Sequence, residues 1–257
     1  MRLSGVRWAV ALGASACAAA GGCGGPQTSF NAADQYGRTY YIDGAGNWGY
    51  GVVEVQDGLR RAGYRGNIII YGWTSTFNPA LDQTIGRLAA RARGEELGRQ
   101  ITQYHAKFPD NQVSIIALSA GTGVGVWGCE NVEPPAKVHS LIMLGSSLSS
   151  TYDMRAALKN ISGGVWVYHS RSDMVLQGPV RALGTIDGQM GVEPAGLVGL
   201  RPKGGGGGKI KNIPWSRQYE RYGWTGAHTD ATSVPFVRQY IAPLVLGRPS
   251  FSDKTQG

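Results

Sequence analysis

VSIIALSAGTG, residues 113–123, decides how this chain is read. Residues 113–118 are dominated by β-branched and apolar side chains, as in a strand buried within a parallel sheet. The glycine-rich stretch after them suits a sharp turn into a helix. Ser119 stands at the junction with Ala117 two residues before it and Gly121 two residues after it. A turn that sharp needs small neighbours, because larger side chains there would collide with the strand and the helix. It lifts a hydroxyl out of the strand and sets it against the free N–H groups of a helix start, where a developing anion is stabilised. Taken alone, the segment is equally compatible with a serine capping an ordinary strand-to-helix turn.

Working outward, strands and helices alternate. RTYYIDG (38–44) reads as a strand. GVVEVQDGLRRAG (51–63) reads as a helix with Val52, Val55, Leu59 and Ala62 on one face and Gly63 as its end. NIIIYGW (67–73) is a continuous apolar run expected to be buried on both sides. Asn78 and Pro79 start a long helix that Gly94 is expected to break in two. Further strands are expected in VHSLIMLG and GVWVYHS, and a further helix in YDMRAALKNI. The C-terminal part supplies a last strand within KIKNIPWSRQYERYGW and a last helix in SVPFVRQYIAPLVL, with Ser233 as its cap. Residues 188–209, with the run KGGGGGK, lack periodicity and are expected to form a mobile surface loop. The alternation predicts an α/β fold: a mostly parallel central sheet with helices on both faces and little or no cap domain. One domain is expected over 37–248, with a flexible leader at 24–36 and a flexible tail at 249–257.

A serine hydroxyl is a weak nucleophile until a base takes its proton and a carboxylate orients that base. ALSAG resembles the Gly-x-Ser-x-Gly turn of the α/β-hydrolases, with alanine in place of the first glycine. In that superfamily the acid follows the serine in sequence and the histidine comes last, ahead of the final helix. The resemblance implies Ser119 as nucleophile, Asp173 in HSRSDMV as acid and His228 in WTGAHTD as base. Asp153 is the reserve acid, and Asp230 lies too near His228 in sequence to be preferred. His105, His139 and His169 precede the acid or fall within regular elements. It implies further that backbone N–H groups of Ala120 and Ala45 form an oxyanion hole, with Gly46 second to Ala45. YYIDGAGNWGYG resembles the His-Gly-x-Gly segment of many hydrolases, with Asp43 replacing the histidine. The implied activity is a carboxylic-ester hydrolase working through an acyl enzyme, with no metal and no cofactor. Thioester and amide substrates fit the same residues. A noncatalytic module on the same fold is the alternative class, since fold alone does not guarantee activity.

Other features bound the answer. The first 23 residues join Arg2 and Arg7 to a short apolar, acid-free run, the layout of an export signal. Cys17 and Cys23 each follow small residues and resemble lipidation sites of bacterial lipoproteins, so a membrane-anchored location in the cell envelope is expected. Arg2 and Arg7 account for two of the formal net charge of +8, which leaves +6 without them. The remaining basic residues are scattered without an aromatic-interleaved stripe, which excludes a nucleic-acid binder. Cys129 is left without a partner and reads as a small buried residue. GVGVWG (123–128) formally matches a dinucleotide fingerprint but begins inside the expected helix, which argues against a nucleotide. The expected partner is a small or lipid-like ester, and no obligate protein partner is evident. Trp48, Trp73 and Trp127 are candidates either to line a substrate pocket or to pack under the sheet. Ser146, Ser147, Ser149 and Ser150 are candidates for a substrate-facing loop or a polar turn.

Overall fold

The computed structural model describes residues 28–74, 76, 78–205 and 208–248. Six strands form one sheet: β1 (Arg38–Ile42), β2 (Asn67–Ile70), β3 (Val113–Leu118), β4 (Val138–Leu144), β5 (Ile161–His169) and β6 (Ile210–Pro214). Their order is β2-β1-β3-β4-β5-β6, and every pairing is parallel. Helices α1 (Val52–Arg61), α2 (Pro79–Gln83), α3 (Arg87–Lys107), α4 (Gly121–Glu130) and α5 (Arg155–Lys159) connect them, and a helical stretch at 234–245 closes the described chain.

The period-2 alternation of strand side chains divides the core. Tyr40, Ile42, Ile115, Ala117, Leu141 and Met143 face one layer with Leu97 and Ile101 of α3 and Val124 and Trp127 of α4. Their neighbours Tyr41, Ile116, Leu118, Ile142 and Leu144 face the other, with Val55 and Leu59 of α1 and Phe236 and Ile241. Burial of each Leu or Ile in these layers contributes about 1.5–3 kcal/mol relative to exposure. Both faces of β1, β3 and β4 are thereby covered, as their apolar sequences require.

Several expectations need correction. β2 is an edge strand, and Ile70 is 38% exposed, because an apolar run does not say how many neighbours its strand will have. β6 is the other edge, and its Lys211 and Pro214 are residues that discourage further pairing. Gly94 does not break α3. A Cβ at Gly94 would lie 2.5 Å from Trp127 Cβ, and one at Gly98 would lie 2.7 Å from the Asn131 carbonyl carbon. These glycines let α3 and α4 approach closely. The chain breaks earlier, at 84–86, where the Leu81 carbonyl accepts from both Thr84 N and Gly86 N.

Part of the supposed mobile loop belongs to the core. Ala195–Val198 forms a short helix, and Ala195 and Leu200 pack in the main cluster. Glycines dilute its hydrophobic pattern, and Gly196 is required by the close approach of Ser146 N. The leader is also partly built in. Asn31 caps the turn Ala32–Tyr36, and buried Asp34 bonds Arg38 at 2.7 Å. Arg38 opens β1 at 1% exposure, and a guanidinium buried that deeply needs a carboxylate. Ser233 occupies the cap position but makes no capping bond, since its hydroxyl donates to the Tyr222 carbonyl. The segments 1–23 and 249–257, with Cys17 and Cys23, lie outside the described residues.

Candidate active site

β3 ends at Leu118 and α4 begins at Gly121, leaving Ser119 and Ala120 to make the turn. Ser119 takes φ +52°, in the left-handed region, where a residue with a Cβ is disfavoured by about 1–2 kcal/mol. Hydrogen bonds hold it there. Its N–H donates to the Leu144 carbonyl at 2.9 Å, and its own carbonyl accepts from Thr122 N, Thr122 Oγ1 and Ser147 N. Thr122 Oγ1 lies 2.7 Å from Ser146 Oγ, which ties the turn to the end of β4. Gly121 is obligatory, because a Cβ there would overlap the carbonyl oxygen of Asp43. The smallness of Gly121 is thus set by the end of the neighbouring strand β1.

Asp173 follows β5 and is 2% exposed. One carboxylate oxygen accepts the Leu176 N–H at 3.0 Å, and the other lies 2.7 Å from His228 Nδ1. His228 comes from the loop before 234–245, and its side chain is 12% exposed. Ser119 and His228 line one cavity of about 630 Å³. Ser119 Oγ makes no hydrogen bond to His228 among the described residues, and such contacts often tighten only around a substrate. The reserve acid Asp153 is instead salt-bridged to Arg155 on the surface, and Asp230 accepts from the Thr225 hydroxyl. His105 bonds the Lys137 carbonyl. Burial holds His139 and His169 below the ordinary imidazole range.

After β1 the chain turns through Gly44–Asn47, closed by Asn47 N donating to the Gly44 carbonyl at 3.2 Å. Gly46 has φ +84°, as the third residue of such a turn demands. Asp43 is 1% exposed and accepts from Gly44 N and Gly49 N, both at 2.7 Å. Burial raises its pKa, opposed by these backbone donors and by nearby His228. Gly46 N, the second choice after Ala45, donates to Asp82 Oδ2 at 2.8 Å. The N–H groups of Ala45 and Ala120 have no acceptor among the described residues, and Ala45 lines the cavity. Asp82 was not singled out from the sequence. Its only signal there is an acid in the first turn of a helix begun by Asn78 and Pro79.

The cavity wall is mainly apolar, with Asn78, Gln83, Ser172 and Thr229 as its uncharged polar members beside Ser119 and His228. Trp48 and Tyr50 contribute from the loop after β1, Pro79 from α2, and Met174, Val175, Pro179, Val180 and Leu183 from the stretch after β5. None of its described lining residues is Asp, Glu, Lys or Arg. Trp48 therefore belongs to the cavity. Trp73 and Trp127 are buried in the core, bonding the Asp43 carbonyl and the Tyr152 hydroxyl. The four serines after β4 are buried. Ser146 bonds Thr122 and Ser149 bonds Asp187, so they form a polar turn. The glycines of GVGVWG serve helix packing, with Gly123 against Ile186 and Gly128 against Leu97. Cys129 is free and buried, and burial pushes its thiol pKa up. Among the described residues no group of three or more His, Cys, Asp or Glu is placed to hold a metal. Among them, too, no helix is long and apolar enough to cross a membrane.

The strand order, the left-handed serine after β3, and an acid and histidine arriving in that order define an α/β-hydrolase fold. No family model matches the chain, and no curated protein matches it by sequence. Among solved structures it is similar to a dienelactone hydrolase from Anabaena variabilis ATCC 29413. The identity there is 14%, with 83% of this chain and 87% of that one covered and a TM-score of 0.47. It is also similar to an extracellular α/β-hydrolase from a Paenibacillus species, at 10% identity, with 82% and 98% covered and a TM-score of 0.43. The fold assignment rests on the arrangement described above.

Proposed function

We propose that this chain is a serine hydrolase that cleaves an uncharged carboxylic ester. The observation that carries the reading is the 2.7 Å bond between His228 Nδ1 and buried Asp173, with the His228 ring lining the same cavity as left-handed Ser119. Asp173 holds the proton on Nδ1, which leaves Nε2 as the base. Nε2 takes the Ser119 proton as Oγ attacks the ester carbonyl. The oxyanion that forms is met by the N–H groups of Ala120 and Ala45. His228 then returns the proton to the departing alcohol, and water, activated by the same imidazole, releases the acid. The absence of ionic side chains among the described lining residues favours an uncharged substrate, because a buried charge without a partner is strongly disfavoured.

The test is covalent labelling with a fluorophosphonate, followed by turnover of a panel of p-nitrophenyl esters beside a thioester and a peptide amide. Labelling that vanishes in Ser119→Ala, with ester turnover above the other two, is the expected result. A folded wild type that takes no label overturns the proposal. The N-terminal segment extends it to an exported, lipid-anchored enzyme. Incorporation of labelled palmitate that is lost in Cys23→Ala or in Cys17→Ala tests that extension.

A further inference from the structure

We propose that Asp82 is a positioning residue that fixes the Ala45 N–H as an oxyanion donor. The inference rests on the serine-hydrolase reading and adds a residue from α2 to it. In the loop after β1 the backbone donors are divided unevenly. Gly44 N and Gly49 N go to the Asp43 carboxylate, Gly46 N goes to Asp82, and Asn47 N closes the turn on Gly44. Ala45 N alone among these has no acceptor among the described residues, and Ala45 lines the cavity beside Gly44 and Ser119. The flanking donors are tied back by two buried carboxylates from different elements.

Asp82 is 3% exposed. Its Oδ2 accepts from Gly46 N at 2.8 Å and Thr74 Oγ1 at 2.6 Å, and its Oδ1 accepts from Thr76 Oγ1 at 2.7 Å. All three donors are neutral, so among the described residues no cation pairs with this carboxylate. Burying a carboxylate without a cation is costly, and these three donors offset that cost. What the carboxylate supplies is direction, since it ties the peptide that follows Ala45 to the Thr74–Thr76 stretch beyond β2. Gly46 itself is pressed against Pro79, whose Cγ would lie 3.0 Å from an added Cβ. Pro79 and Asp82 both belong to α2. The helix therefore holds the Gly44–Asn47 turn by contact and by hydrogen bond together.

The full chain carrying Asp82→Ala, Asp82→Asn or Thr74→Val tests this on p-nitrophenyl butyrate, with a trifluoromethyl ketone as an analogue of the tetrahedral adduct. Asp82→Ala is expected to lower kcat by about 100-fold with KM within about two-fold, as misplacement of an oxyanion donor does. Ketone affinity should fall in step with kcat. Asp82→Asn keeps an acceptor for Gly46 N and should recover most of the rate, and Thr74→Val should show a smaller loss of the same kind. Unchanged kcat in folded Asp82→Ala overturns the inference. So does a loss that merely follows the folded fraction, with KM and ketone affinity intact. Should the alanine variant not fold, undiminished kcat and ketone affinity in both other variants overturn it equally. A wild type labelled by fluorophosphonate yet indifferent to Asp82 sinks only this inference, whereas an unlabelled wild type sinks the hydrolase reading with it.

Discussion

His228 Nδ1 and Asp173 Oδ2 lie 2.7 Å apart across a sequence separation of 55 residues. β5 delivers the carboxylate and the loop before 234–245 delivers the ring. Asp173→Asn leaves the Leu176 N–H its acceptor but removes the charge that stabilises an imidazolium. In steady-state assays kcat is expected to fall about 10³- to 10⁴-fold, with little change in thermal stability. A variant retaining a tenth of wild-type kcat would show that this carboxylate is not the orienting acid.

Ser119 holds φ +52° at the cost of conformational strain. Glycine relieves such strain and alanine does not, so Ser119→Gly should be more stable than Ser119→Ala by about 1 kcal/mol. In calorimetry that is roughly 2–4 °C in Tm for a domain of this size. Equal melting temperatures would mean that the left-handed turn is not strained.

Glycines 196 and 72 should respond in opposite ways. A Cβ at Gly196 would stand 2.5 Å from Ser146 N, whereas one at Gly72 meets nothing within 4 Å. Gly196→Ala is expected to destabilise by about 1–3 kcal/mol through overpacking. Gly72→Ala, just beyond β2, is expected to stabilise by about 0.4–1 kcal/mol. Urea melts of the two variants decide it.

Burial lowers the pKa of His139 and His169 below 6.5. The unfolded chain then binds more protons than the folded one as pH falls through 6.5, so stability present at neutral pH is lost toward acid. Replacing both with glutamine should flatten the difference in urea midpoint between pH 7.5 and pH 5.5. An undiminished difference would place its origin in other groups.

Much of this was legible from the sequence. The alternation of apolar runs and 3.6-residue spacing located five of the strands to within about three residues at either end, and the sixth only inside a longer stretch that also holds the helical turn Arg217–Tyr222. The pairing of Asp173 with His228 followed from the resemblance to the α/β-hydrolases, in which the acid and the histidine come in that order after the serine. What stayed hidden depended on partners distant in the chain. Nothing local to NIII says that β2 has one neighbour, and nothing local to Gly94 says that Trp127 will press against it. Asp82 was invisible for the same reason, since its carboxylate acquires meaning only when Gly46 arrives beside it. Glycines misled twice, at 94 and across 195–200, because the same residue serves flexibility in isolation and close contact in a core.

The segment from Asp173 to Leu183 has two duties, anchoring the imidazole at its first residue and walling the cavity along the rest. A shift of that wall would carry the anchor of the imidazole with it, which under the proposed function gears substrate preference to reactivity. Selection or engineering for a different substrate should therefore accumulate changes at the far end, around Leu183, or across the cleft at Trp48 and Tyr50, and leave the residues beside Asp173 alone.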